Sequence, residues 1–208
     1  MSLAQFMNIM QTSQSNVDRL GSTIVALGNS LATTESRIVE MSHRLAGAGK
    51  RVGLTEAQVL SFAGAFASVG IEAQLGGSAI SRIMIEVAQS VAQGGDKLSE
   101  FSRIAGMTTT GFSKAFKDDA ATALVTFIEG LGRVSKEGEN VFAVLEDLEL
   151  QDLRVLQTLL SMSGAGNLLR RSLNLGSRAW EENTALTEEA RKRYETLASQ
   201  LRILWNIV

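Results

Sequence analysis

Several short stretches bring together residue types that catalysis, phosphate binding or metal binding would use. Glu35 is followed by Ser36. A carboxyl group acting as a general acid needs an apolar pocket that raises its pKa. Glu35 instead falls inside a heptad-spaced segment, directly after the seam position Thr34, where no pocket is expected. His43 is the single histidine and the chain has no cysteine. Zinc sites and Ser-His-Asp or Cys-His nucleophiles need more partners than that, so a surface or seam-flanking place is expected for His43. Gly47-Ala-Gly-Lys50 resembles part of a phosphate-binding loop, but Arg44 replaces its first glycine and Arg51 stands where Ser or Thr would hold magnesium. The acidic run Glu146-Asp147-Leu-Glu149-Leu-Gln-Asp152 lacks the spacing and turn glycine of a calcium loop, and reads as a solvated helix junction. The basic clusters Lys50-Arg51, Arg170-Arg171 and Arg191-Lys-Arg193 are flanked by carboxylates or leucines and read as solvated helix faces. No catalytic residue, cofactor site or metal site is therefore expected.

The elements around these residues follow from composition. There is no proline in 208 residues, and aromatics are only 5%, so long uninterrupted helices are favoured over strands. The absence of cysteine removes disulfide and thiolate chemistry. A net charge of −2 gives no electrostatic reason for specific nucleic-acid binding. No apolar run approaches the ~18 residues of a bilayer span. The predicted fold class is all-α, with long amphipathic heptad helices at both ends around a glycine-punctuated helical bundle.

From Leu3 to Leu45 a stripe at alternating spacings of three and four runs through Leu20, Ile24, Leu27, Leu31, Ile38 and Met41, broken in character only by Ser13 and Thr34. The spacing predicts one long helix, roughly 65 Å at 1.5 Å per residue, that hides a seam against a partner. Gly21 and Gly28 lie beside it, where a partner could come close. Gly47, Gly49 and Gly53 are expected to end the rod, and Thr55 with Gln58 to form a capping box. Gly70 and Gly76-Gly77 are expected to stop the next helix, with Ser78 starting another; Gly94-Gly95 and Gly106 punctuate the chain further. Caps are predicted at Thr108 to Thr110, at Asp118 or Asp119, and at Thr187. In the last helix Tyr194, Leu197, Leu201 and Leu204 continue the seam. Three regions follow: a long N-terminal heptad helix over 1–50, a compact multi-helix core over 51–165, and C-terminal helices over 166–208. The seam still runs at Val208 without a cap, which predicts a fragment whose helices continue beyond it.

Several of these pieces, in this order, resemble the core region of phage tail tape measure proteins: Ala26-Leu-Gly-Asn29, Thr33-Thr-Glu-Ser36, Leu45-Ala-Gly-Ala-Gly-Lys50, Gly53-Leu-Thr-Glu56, Ser68-Val-Gly-Ile71, Gly76-Gly-Ser-Ala-Ile-Ser-Arg82, Gly94-Gly95, Phe101 through Met107, and Phe127-Ile-Glu-Gly-Leu131. The resemblance covers roughly Leu20 to Asn206. It implies a structural virion component of a phage or prophage, lying in the tail lumen after assembly in the host cytoplasm. Around it the tail tube protein would polymerise to a set length, with tail assembly chaperones as further partners. Self-association through the helices is expected. Two other readings stand beside it. One is a generic helical coiled-coil scaffold. The other is a muralytic domain like the lytic transglycosylases, whose acid is a glutamate followed by serine, as at Glu35-Ser36; their glycine-rich and aromatic elements are missing here.

Overall fold

A computed structural model describes the backbone of residues 3–205 and the side chains of residues 3–196. Among the described residues the chain is helical throughout, with no strand. The helices are α1 (Leu3–Met10), α2 (Val17–Ser30), α3 (Glu35–Arg51), α4 (Glu56–Ser68), α5 (Ala73–Gln93), α6 (Asp96–Ala105), α7 (Thr109–Asp118), α8 (Ala120–Lys136), α9 (Val141–Asp147), α10 (Leu153–Ser163), α11 (Gly166–Glu182) and α12 (Ala185–Trp205), with a 3₁₀ turn at Gln14–Asn16. The all-α class is as expected, but a coiled-coil rod is not how the described part is built.

The predicted long N-terminal helix is broken twice. Ser13, counted as a weak seam position, is extended and its hydroxyl accepts from the Ser15 N–H, starting the 3₁₀ turn. Leu31 and Thr34 are both extended (φ −114°, ψ 156°), so α2 ends at Ser30 and α3 begins afresh at Glu35. The Thr34 hydroxyl accepts from the Arg37 N–H. A threonine that can satisfy a free amide at a helix start competes with helix continuation at that point. The heptad spacing survives the break because the four linking residues occupy as much sequence as one turn.

The two halves of the stripe fold into a hairpin around α4. Gly64 of α4 lies beneath the Leu31 side chain, with Ile38 beside it, while Gly49 near the end of α3 meets Val59 and Leu54. Thr12 donates a 2.8 Å hydrogen bond to Glu56, just ahead of α2 and at the start of α4. So α2 runs with α4 and α3 runs against it. Leu20, Ile24, Leu27, Ile38, Met41 and Leu45 are all buried in this internal core, and Leu31 is half-buried. Phe6 and Met10 of α1 are buried as well, where α1 folds back onto α3.

Helix α4 is sealed on every side. All residues from Val59 to Ala67 are buried. On one flank α11 crosses it antiparallel: Ser172 donates a 2.7 Å hydrogen bond to the Ser61 carbonyl, and Gly176 faces the Ser61 hydroxyl and the Ala57 carbonyl with no room for a side chain. On another flank Phe62 and Phe66, stacked with centroids 5.5 Å apart, meet Ile80, Ile83 and Met84 of α5, Leu124 and Ile128 of α8 and Met162 of α10 around an apolar void of about 10 Å³. Phe101 of α6 packs edge-on against Phe127 of α8. These faces form one contiguous core that takes residues from α1 through α11.

Glycine roles divide in two. Gly53, Gly70, Gly94 and Gly106 have positive φ and end helices as expected, while Gly95, also at positive φ, starts α6. Gly47 and Gly49 do not end the rod, because α3 runs on to Arg51; nor do Gly76 and Gly77 stop a helix, because α5 starts at Ala73, ahead of Ser78. Gly77 instead lets α5 approach Arg44 of α3. The tightest approaches to backbone are in α8, where Gly130 abuts the Ile104 carbonyl and Gly132 the Ser163 carbonyl. The expected caps at Thr108 and Asp119 form, and Asn140 and Asp152 cap α9 and α10. Thr187 is not a cap: α12 begins at Ala185, so Thr187 lies in its first turn.

Two stability predictions follow from these contacts. In the Thr55 capping box both arms are made, the Gln58 N–H donating to the Thr55 hydroxyl at 3.2 Å and the Thr55 N–H to the Gln58 side chain at 3.0 Å. Thr55→Ala should therefore cost about 1 kcal/mol, read as a lower urea midpoint with an unchanged slope. A matched pair of glycine substitutions separates close approach from propensity. Gly47 is an exposed helical position with nothing near its missing Cβ, so Gly47→Ala should stabilise by up to about 1 kcal/mol. Gly130→Ala pushes a methyl into a backbone carbonyl and should destabilise by about 1–3 kcal/mol despite the better helix propensity.

Candidate functional site

Each stretch that could have carried chemistry has a place in the bundle. Glu35 is exposed in the first turn of α3, its carboxyl lying over Gly28. The depression beside it, about 520 Å³, is lined by Glu35, Ser36, Val39 and Glu40 of a single helix and is open to solvent. No apolar pocket encloses the carboxyl. Lys50 sits in the last turn of α3. There the helix presents carbonyl oxygens and the negative end of its dipole, the reverse of a phosphate cradle. His43 is half-buried, and its Nδ1 is buried without a hydrogen-bond partner. Among the described residues no group of three or more His, Cys, Asp or Glu side chains could hold a metal ion.

The acidic junction is occupied by structural work. The Asp152 carboxylate accepts from the Arg154 N–H at 3.0 Å and starts α10. Glu149 pairs with Lys97 at 2.8 Å, and Glu86 stands 3.7 Å from the same ammonium. The hydrogen bond to Glu149 holds the Lys97 pKa above its ordinary value, against the opposing effect of burial. Arg103 forks onto Glu100 at 2.7 Å and Glu139 at 2.8 Å, and these hydrogen bonds raise its pKa further. Arg170 grips both oxygens of Glu129 at 2.6 Å, which raises its pKa and ties α11 to α8. In α12, Arg193 donates to Glu189 at 3.0 Å and draws that carboxyl below its usual range. These pairs are largely exposed, so each contributes little stability. The pairs of Lys97, of Arg103 with Glu139 and of Arg170 with Glu129 link different elements of the bundle.

Three arginines with no local sequence signal close helix ends. Arg19 donates to the Trp180 carbonyl at 2.5 Å in the last turn of α11. Arg133 donates at 3.1 Å to the Ile104 carbonyl near the end of α6, and Arg82 at 3.1 Å to the carbonyl of Glu149, a left-handed residue following α9. A cation at a helix C-terminus satisfies free carbonyls and complements the dipole. The partners are 161, 29 and 67 residues apart, so nothing in the local sequence indicates them.

The expected interaction seam is divided by the fold. Its N-terminal members are turned inward, as described above. Its C-terminal members Leu197, Leu201 and Leu204 fall within α12, but their side chains lie outside the described residues. Helix α12 is joined to the bundle through its first turns. Leu186 covers Gly21, 3.0 Å from where a Cβ would sit, and its N–H donates to the Ser22 hydroxyl at 3.4 Å. Residues 191–196 are then exposed without exception, Tyr194 at 73%.

Among the described residues no helix is long and apolar enough to cross a membrane. No curated protein and no solved structure matches the chain. The family model for phage-related minor tail proteins matches residues 1–149. That span takes in α1 to α9, including the hairpin, the sealed helix α4 and the glycine contacts of α8. The chain belongs to the family of phage-related minor tail proteins, and its role is a structural one in the phage tail.

Proposed function

We propose that the chain is part of a tail tape measure protein, which templates polymerisation of the tail tube and sets tail length. The match to the minor tail family over residues 1–149 carries this reading. It is supported by the all-helical build and by the absence of any enclosed carboxylate or metal-ligand cluster among the described residues. Its partners would be the tail tube protein and the tail assembly chaperones, with further self-association through the C-terminal seam. Its places would be the tail lumen and, during assembly, the host cytoplasm. No cofactor is needed for such work. Residues 1–50 do not act as a rod, since they fold onto α4, and the length-setting parts would be long continuous helices.

An internal deletion in an assembling phage tests this. A continuous helix contributes about 1.5 Å per residue, so removing whole heptads from rod-like parts of the tail protein should shorten tails in proportion. Removing residues within 55–134 exposes core surface instead, and should block assembly or leave length uncontrolled. Electron microscopy of the particles reads the difference; viable tails shortened by about 1.5 Å per residue deleted from 55–134 would contradict the reading.

The muralytic alternative makes the opposite biochemical prediction. The chain should leave purified peptidoglycan undigested, and Glu35→Gln should change nothing in a turbidity assay. Clearing that Glu35→Gln abolishes would replace the structural reading with an enzymatic one.

A further inference from the structure

Two surfaces of this chain complement one another. The first is a groove of about 810 Å³ where the first half of α11 passes over the C-terminal ends of α4 and α10. Val69, Ala165 and Leu168 supply apolar lining, Arg171 stands beside them, and no carboxylate lines the groove. The neighbouring Arg170 is already committed to Glu129. Arg171 takes part in none of the ion pairs among the described residues.

The second surface is the outer face of α9. Val141, Val144 and Leu145 point inward, which leaves Phe142, Ala143, Glu146 and Asp147 on the solvent side, all of them exposed. Phe142 keeps 60% of its surface in water. Neither Glu146 nor Asp147 takes part in an ion pair among the described residues. An exposed phenyl ring with two free carboxylates one turn further on is the chemical inverse of an apolar groove with a free guanidinium beside it.

We propose that the chain associates head to tail with a second copy, the α9 face of one molecule seating in the α11 groove of the next. Phe142 lies against Val69 and Leu168, and Glu146 or Asp147 faces Arg171. The spacing fits: residues three or four apart on a helix are about 5–6 Å from one another, so Leu168 to Arg171 matches Phe142 to Glu146. Because the two surfaces are different patches of one molecule, the contact is heterologous and builds a ring or an open filament instead of a two-fold dimer. This contact is separate from the C-terminal seam, and it holds whether or not the protein is a length ruler.

Sedimentation velocity of the whole 208-residue chain over a concentration series tests the proposal. Association should be concentration-dependent and weaken as salt is raised, since the pairing charges are at the surface. Arg171→Glu and Phe142→Ser should each weaken it by roughly tenfold or more. Both positions are exposed, so circular dichroism should show the fold retained. The Arg171→Glu chain and a Glu146→Lys/Asp147→Lys chain should each remain monomeric alone yet associate when mixed, because each then offers a surface opposite in charge to the other's. A wild-type chain that stays monomeric at every concentration would overturn the proposal. So would association unaffected by Arg171→Glu and Phe142→Ser, which would place the contact elsewhere, such as α12.

Discussion

Everything else in this structure is arranged around the burial of α4. A helix of 13 residues whose middle is buried on all sides has no solvent face to orient it, so its neighbours must enclose it. Each supplies a different fit. The hairpin of α2 and α3 brings Leu31 and Ile38 down onto Gly64, α11 brings Ser172 and Gly176 onto Ser61, and α5, α8 and α10 close over the two phenyl rings. Burying a large apolar side chain contributes about 1.5–3 kcal/mol, and α4 contributes Phe62, Phe66, Leu60 and Val59 at once. The small residues between them have the complementary task. Ala57, Ser61 and Gly64 lower the surface of α4 so that neighbouring helices come close enough to exclude water.

Close approach exposes backbone polar groups to one another, and the structure answers this locally. Ser61 donates its hydroxyl to the Ala57 carbonyl on its own helix while its carbonyl accepts from Ser172. The crossing of α4 and α11 is thus apolar in volume yet satisfied in hydrogen bonding, as a buried contact must be. Arg19, Arg133 and Arg82 do the same at helix ends, where free carbonyls would otherwise face neighbouring helices. In a chain without proline or cysteine, such contacts help to hold many short helices in one arrangement.

The all-α class, most of the caps and the turn glycines were legible in the sequence, because each depends on a few adjacent residues: Thr55 with Gln58, Asp119 before Ala120, Gly94-Gly95 before Asp96. The N-terminal rod was misread for a physical reason. A stripe at spacings of three and four reports which residues are buried, and Leu20 through Met41 are largely buried; it does not report whether the helix carrying them is continuous. The residue that decides continuity is Thr34, a polar lapse in the seam that caps α3. Gly76-Gly77 was misread by the same limitation. A glycine that ends a helix and one that lets another helix approach look alike until the neighbour, here Arg44, is known. The groove beside Arg171 and the arginine caps depend on residues distant in sequence, so no local pattern could have shown them.

The distinction between rod and bundle decides how residues 1–50 are built into the molecule. The most direct test is a distance between two spin labels. The chain has no cysteine, so Asp18→Cys and Lys50→Cys would supply the only labelling sites, both at exposed positions. If α2 and α3 form the hairpin around α4, both positions lie near the start of α4, separated by about 20 Å, or two interhelical spacings. A continuous helix through the stripe would set them about 48 Å apart. A double electron–electron resonance distribution centred near the shorter distance is the predicted result, and one centred near the longer would contradict the account.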